Sequence, residues 1–114
     1  MKYLPYQDLV VWQKAMELAQ EIYQLVKLLP AEELYSLSDQ MRRAAVSIPS
    51  NIAEGRGRGT DKDYKHFLCI AKGSVFELET QLLLCVKINY LTQSQVEMSL
   101  SLCSEISKML ASMS

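Results

Sequence analysis

The chain has 114 residues, with 49% apolar and 22% charged side chains and a formal net charge of −1. That length fits one domain with a true hydrophobic core. The composition excludes global disorder, and the near-zero charge excludes a protein that coats nucleic acid over its whole surface.

Pro5 and Asp8 signal the start of a first helix, expected from Gln7 or Asp8 to Leu29, with Pro30 as its stop. Trp12, Ala15, Met16, Ala19, Tyr23 and Val26 form one stripe at helical spacing. Val11, Leu18 and Leu25 form a second line, each seven residues from the last. One stripe is enough to pack a helix on one side, so two imply that it is covered from two directions.

Ser36 is expected to open the second helix with Asp39 as a capping-box partner. Its apolar stripe is Leu37, Met41, Ala44, Ala45, Ile48 and Ile52. Pro49 sits mid-run, where it removes a donor and crowds the Ala45 carbonyl. The expected product is a bent, small-residue helix that ends at Gly55-Arg56-Gly57-Arg58-Gly59 and on which the others pack. Thr60 is expected to cap the third helix through Asp63. The core stripe there is Tyr64, Phe67, Leu68, Ala71, Val75, Leu78, Leu82, Cys85 and Val86. A second line again follows at intervals of seven: Cys69, Phe76 and Leu83. Thr92 and Gln95 form a capping box for a fourth helix whose stripe is Val96, Leu100, Cys103, Ile106, Leu110 and Met113. Four helices with short connections predict an all-α, up-down-up-down four-helix bundle over residues 1–114 as a single domain.

The second lines, Val11, Leu18 and Leu25 on helix one and Cys69, Phe76 and Leu83 on helix three, exceed what one subunit is expected to bury. Surplus apolar surface of that kind marks an interface, so these six residues are expected to join copies into a homo-oligomer. Charge is also uneven. Arg42 to Lys72 holds seven Lys/Arg and three acids, a local +4, against −5 in the remainder. Arg42, Arg43, Arg56, Arg58, Lys62 and Lys65 are the candidate nucleic-acid contacts, with plain solvated surface as the alternative.

Catalytic chemistry finds little support. A di-iron bundle needs two Glu-x-x-His elements, and His66 is the sole histidine. Ser47, Ser50 and Ser74 have no base at convincing spacing, and Glu54, Glu77 and Glu79 suit surface or intersubunit ion pairs better than an acid pair. No metal or cofactor is expected. Cys69, Cys85 and Cys103 lack paired spacing and read as small buried hydrophobes, which suits a reducing cytoplasm. No stretch approaches the roughly 20 apolar residues of a membrane span, and no signal peptide is visible in residues 1–8.

Leu9-Val10-Val11-Trp12-Gln13-Lys14-Ala15 resembles the opening motif of the bacterial four-helix bundle proteins encoded in 23S rRNA intervening sequences. The resemblance continues through Gln40-Met41-Arg42-Arg43-Ala44-Ala45-Val46-Ser47-Ile48-Pro49-Ser50-Asn51-Ile52-Ala53-Glu54-Gly55, then Phe67-Leu68-Cys69-Ile70-Ala71-Lys72-Gly73-Ser74 and Glu77-Leu78-Glu79. It covers roughly residues 5–90. The same superfamily includes the accessory variability determinant of diversity-generating retroelements. The resemblance implies a ring-like homopentamer without catalytic activity, and the accessory proteins' partners are a reverse transcriptase and nucleic acid. It places Arg42, Arg43, Arg56 and Arg58 as phosphate contacts. Three readings stay open: a non-enzymatic scaffold that binds RNA or DNA through the basic segment, a protein-interaction module with no nucleic-acid role, and, with least support, an enzyme with a carboxylate site at Glu54, Glu77 or Glu79.

Overall fold

The computed structural model describes residues 5–113, and four α-helices dominate it. They are α1 (Val10–Leu25), α2 (Leu37–Arg56), α3 (Asp61–Lys87) and α4 (Gln93–Met113). Short 3-10 turns occupy Tyr6–Asp8, Val26–Leu28 and Ala31–Glu33. No strand occurs among the described residues. α1 packs on α2 and α4, and α3 packs on the same two helices, so α1 and α3 stand at diagonal corners. The expected all-α four-helix bundle is the observed architecture, elongated to 49 × 25 × 18 Å.

Local signals set most helix ends. Thr60 Oγ1 accepts the Asp63 amide at 3.2 Å and caps α3. That helix closes with Asn89 at φ 67°, while the Tyr90 amide reaches back to the Cys85 carbonyl and the Asn89 amide to Val86. This is a Schellman closure, with asparagine in the left-handed position that glycine usually takes. The Thr92–Gln95 capping box forms in both directions, at 2.9 and 3.1 Å. α1 is shorter than expected, because its last turn tightens into the 3-10 turn Val26–Leu28 ahead of Pro30.

The start of α2 differs from the expected capping box. Asp39 turns away to pair with Arg43 at 2.9 Å. Glu33 takes over, accepting the Ser36 hydroxyl at 2.6 Å, the Leu37 amide at 3.4 Å and the Tyr90 hydroxyl at 2.8 Å. The Ser36 hydroxyl first, then the Tyr90 phenol, hold the Glu33 carboxyl below its ordinary value of 4.5. A carboxyl lowered by folding contributes stability that is present above its unfolded pKa and lost as pH falls through the folded value. Tyr90→Phe removes one donor, so its urea midpoint is expected to fall less steeply than the parent's between about pH 5 and pH 3. Parallel acid limbs in the two proteins would show that the Tyr90 hydrogen bond does not couple to folding.

α2 runs through Pro49 as one helix, and Pro49 is buried. Packing therefore offsets the roughly 3 kcal/mol that proline costs a helix interior. The Ser47 and Ser74 hydroxyls meet at 2.8 Å between α2 and α3. The Asn51 amide stays on α2, donating to the Ser47 carbonyl and hydroxyl. Gly55 marks the closest approach of α2 and α3: an added Cβ would lie 2.7 Å from Phe67 Cβ and 3.3 Å from the Tyr64 carbonyl oxygen.

The surplus lines part company. Val11, Leu18 and Leu25 are 3%, 0% and 7% exposed, inside the core with Ala15 and Ile22. They are taken up within the chain, which corrects the expectation that they form an outer interface. A helix at a bundle corner buries the arc between its two neighbours, and on α1 that arc is centred on this line. Met16 and Tyr23, expected in the core, are exposed instead. On α3, Phe76 and Leu83 are exposed, joined by Ile70, Leu84 and Ile88; Cys69 is exposed with them, which corrects its reading as a small buried hydrophobe. Cys85 and Cys103 are buried, and burial pushes the Cys103 thiol up to about 12.

Candidate nucleic-acid interface

Six basic residues were expected to share one surface, and the helix geometry divides them. Arg42 and Arg43 precede Arg56 and Arg58 by about fourteen residues of continuous helix, so about 20 Å of rise separates the pairs. Arg42 donates to the Leu34 carbonyl at 3.2 Å and lies 3.9 Å from Asp39. Arg43 is held by Asp39 at 2.9 Å. Both guanidiniums are thus tied to their own helix start, beside a shallow groove that Tyr23, Val46 and Ser47 also line.

The second cluster is built by the Gly-Arg turn and the first turns of α3. The Gly57 amide bonds the Ala53 and Glu54 carbonyls, and the Arg58 amide bonds Gly55. Gly59 then takes φ +86°, the left-handed conformation in which L side chains are strained. This turn lays Arg56 over the Tyr64 ring at 5.4 Å and Arg58 over the Phe67 ring at 4.8 Å. Arg58 also pairs with Glu54 at 2.7 Å, a surface ion pair of the kind expected for that carboxylate. Lys62, Lys65 and His66 are exposed on the adjoining turns, and His66 meets Phe67 edge-on at 5.5 Å. Neither Lys62 nor Lys65 forms an ion pair with a described residue.

This end of the bundle brings cations beside aromatic rings. Such a surface can meet phosphate and stack on a base. Glu54, Asp61 and Asp63 lie in the same region and weaken its field. The cavity beside the turn, lined by Gly55, Arg56, Gly59, Thr60, Asp61 and Tyr64, holds about 40 Å³. That is far below the roughly 300–1,000 Å³ of small-molecule sites, so a metabolite has no room here. No three His, Cys, Asp or Glu among the described residues stand close enough to hold a metal. No described helix is long and apolar enough to cross a membrane.

Sequence reading missed a second surface. Tyr6, Trp12, Met16, Ala19, Val46, Pro49, Ser50 and Ala53 line an open groove of about 350 Å³ between α1 and α2. The only signal was the Trp12–Met16–Ala19–Tyr23 stripe, which looks identical to a core stripe when the neighbours are unknown.

The family model described as 23S rRNA-intervening sequence protein matches residues 7–112. A crystal structure of a protein of unknown function from the S23 ribosomal protein family of Bacteroides thetaiotaomicron VPI-5482 is 34% identical, with a TM-score of 0.83. The alignment covers 90% of this chain and 96% of that one. No curated protein matches the chain.

Proposed function

The chain belongs to the 23S rRNA-intervening sequence protein family, and from that premise we propose that it is a non-enzymatic, self-associating scaffold that holds RNA or DNA at the Gly-Arg end of its bundle. One observation carries this reading. The outward face of α3 carries Lys62, Lys65 and His66 at its start, flanked by Asp61 and Asp63, and is mainly apolar beyond, where Cys69, Ile70, Phe76, Leu83 and Leu84 surround the exposed Glu77 and Thr80. Copies that hide the apolar part gather their basic parts at one end. A protomer of net charge −1 then presents several copies of one cationic patch, and the homopentamer implied by the sequence resemblance would present five. Multivalency of that kind raises affinity without any new contact.

The test is a binding titration with a short duplex and a single strand at several salt concentrations. Each phosphate contact contributes about 0.7–0.9 to the log–log salt slope. Replacing Arg56, Arg58, Lys62 and Lys65 with alanine is expected to weaken binding and reduce the slope by about 3 units. Replacing Arg42 and Arg43, which sit at the far end, should change it by less than about one unit. A quadruple variant that binds like its parent removes the nucleic-acid role. The reading left would be a protein-interaction module, whose partner class in the accessory proteins resembled by the sequence is a reverse transcriptase. The ion pairs that already occupy Arg43 and Arg58 favour that second reading. A partner retained after nuclease treatment would select it.

A further inference from the structure

We infer that copies of this chain join ridge into groove: the outward ridge of α3 seats in the α1–α2 groove of the next copy, with closest approach at Gly73. The inference rests on the self-association proposed above and names the two surfaces that carry it.

Gly73 is the first observation. It lies in the middle of α3, where glycine weakens a helix, yet a Cβ added there meets nothing within 4 Å. Packing inside the chain requires glycine at Gly55 and not at Gly73. A small residue on an outward face, between Cys69 and Phe76, lets another backbone approach closely.

Shape is the second. The ridge is convex, with Ile70, Phe76, Leu83 and Leu84 each roughly half exposed. At about 100 Å² for each large half-exposed side chain, such a ridge offers several hundred Å² of apolar surface. With lysine stems and backbone beside it, this nears the roughly 800 Å² per partner of a stable interface. The groove is concave and mainly apolar, lined by Ala19, Pro49 and Ala53 together with Trp12, Met16 and Val46. Two convex ridges would leave that groove wet.

Height along the bundle is the third. The Ser47–Ser74 hydrogen bond of 2.8 Å sets Gly73 level with the middle of α2, and Val46 and Pro49 at that level line the groove with Met16 and Ala19. The close approach of Gly55 to Phe67 sets Cys69 level with Ala53 and so with Trp12. Rotation about an axis parallel to the bundle, with no slip along it, therefore brings ridge and groove together in register. A head-to-tail contact without slip can close into a ring, whereas slip would give a filament.

The experiment places a cysteine in the groove. Cys69 is the exposed native thiol, while Cys85 and Cys103 are buried. Ala53→Cys treated with a short bis-maleimide is expected to give a covalent ladder up to the full assembly on a denaturing gel, and Ala53→Cys/Cys69→Ser to give none. Gly73→Leu, which has open space within its own chain, is expected to keep its helical circular dichroism and weaken assembly by about tenfold or more. Cross-linking of the parent that stops at dimers through Cys69 alone, with no ladder from Ala53→Cys, overturns ridge-in-groove pairing and leaves self-association standing. Assembly unchanged by Gly73→Leu overturns it as well. Light scattering that finds the parent as a 13.0 kDa protomer removes the self-association beneath it.

Discussion

Leu18→Ala is expected to lower unfolding free energy by about 2–5 kcal/mol, and Leu83→Ala by less than about 1 kcal/mol in the dispersed protomer. The two residues look alike in sequence. Each is a leucine on a line spaced by seven that lies beside a helix's main stripe. Leu18 is 0% exposed and Leu83 is 50% exposed. Truncating the first removes buried methyl groups and leaves a cavity the bundle only partly closes. Truncating the second removes atoms that already face water, so the protomer hardly notices. The proposed assembly should respond in the opposite order, with Leu83→Ala dissociating more readily. Urea denaturation at fixed protein concentration checks this, with a midpoint shift of about 1 M or more for Leu18→Ala. The proposed self-association would make apparent stability depend on concentration, so the comparison belongs at low concentration. A Leu18 variant that unfolds like the parent but falls apart into protomers would place Leu18 at the interface and reverse the assignment.

Gly55→Ala and Gly73→Ala are the same change in two helices and are expected to have opposite signs. At Gly55 the new Cβ would stand 2.7 Å from Phe67 Cβ, 3.2 Å from Tyr64 Cδ1 and 3.3 Å from the Tyr64 carbonyl oxygen. Backbone and a ring root cannot move aside as a lysine tip can, so α2 and α3 must separate at their tightest point. Overpacking of this kind costs about 1–3 kcal/mol, which exceeds the roughly 1 kcal/mol that alanine contributes over glycine in a helix. The net effect is a loss of several °C in Tm, at about 4 °C per kcal/mol for a chain of this size. At Gly73 nothing opposes the helix gain within the chain, so the dispersed protomer should gain up to about 1 kcal/mol. Thermal melts of the two variants check both signs. A Gly55 variant that melts at or above the parent would show that the α2–α3 contact relaxes without cost.

The two glycines show where sequence reading stops. Both lie in helix-periodic runs, and both were part of motifs that pointed to a bundle. Only the distance to Phe67 on another helix tells that one is required by packing inside the chain. The basic residues teach the same lesson. Arg42, Arg43, Arg56 and Arg58 lie close enough in sequence to fall within one +4 segment, Arg42 to Lys72. A continuous α2 carries them to opposite ends, because Pro49 is buried within it and supported by its neighbours.

Local chemistry alone determined the helix count and most of the helix ends: Thr60, the Thr92–Gln95 box, Pro30 and the Gly-Arg turn act within a few residues of themselves. It also determined which stripes were apolar. The tertiary structure decided which apolar stripe faces in, which carboxylate caps α2, and which arginines share a surface. Those outcomes depend on what stands opposite each side chain, and helical periodicity records only the angle at which a residue leaves its own axis.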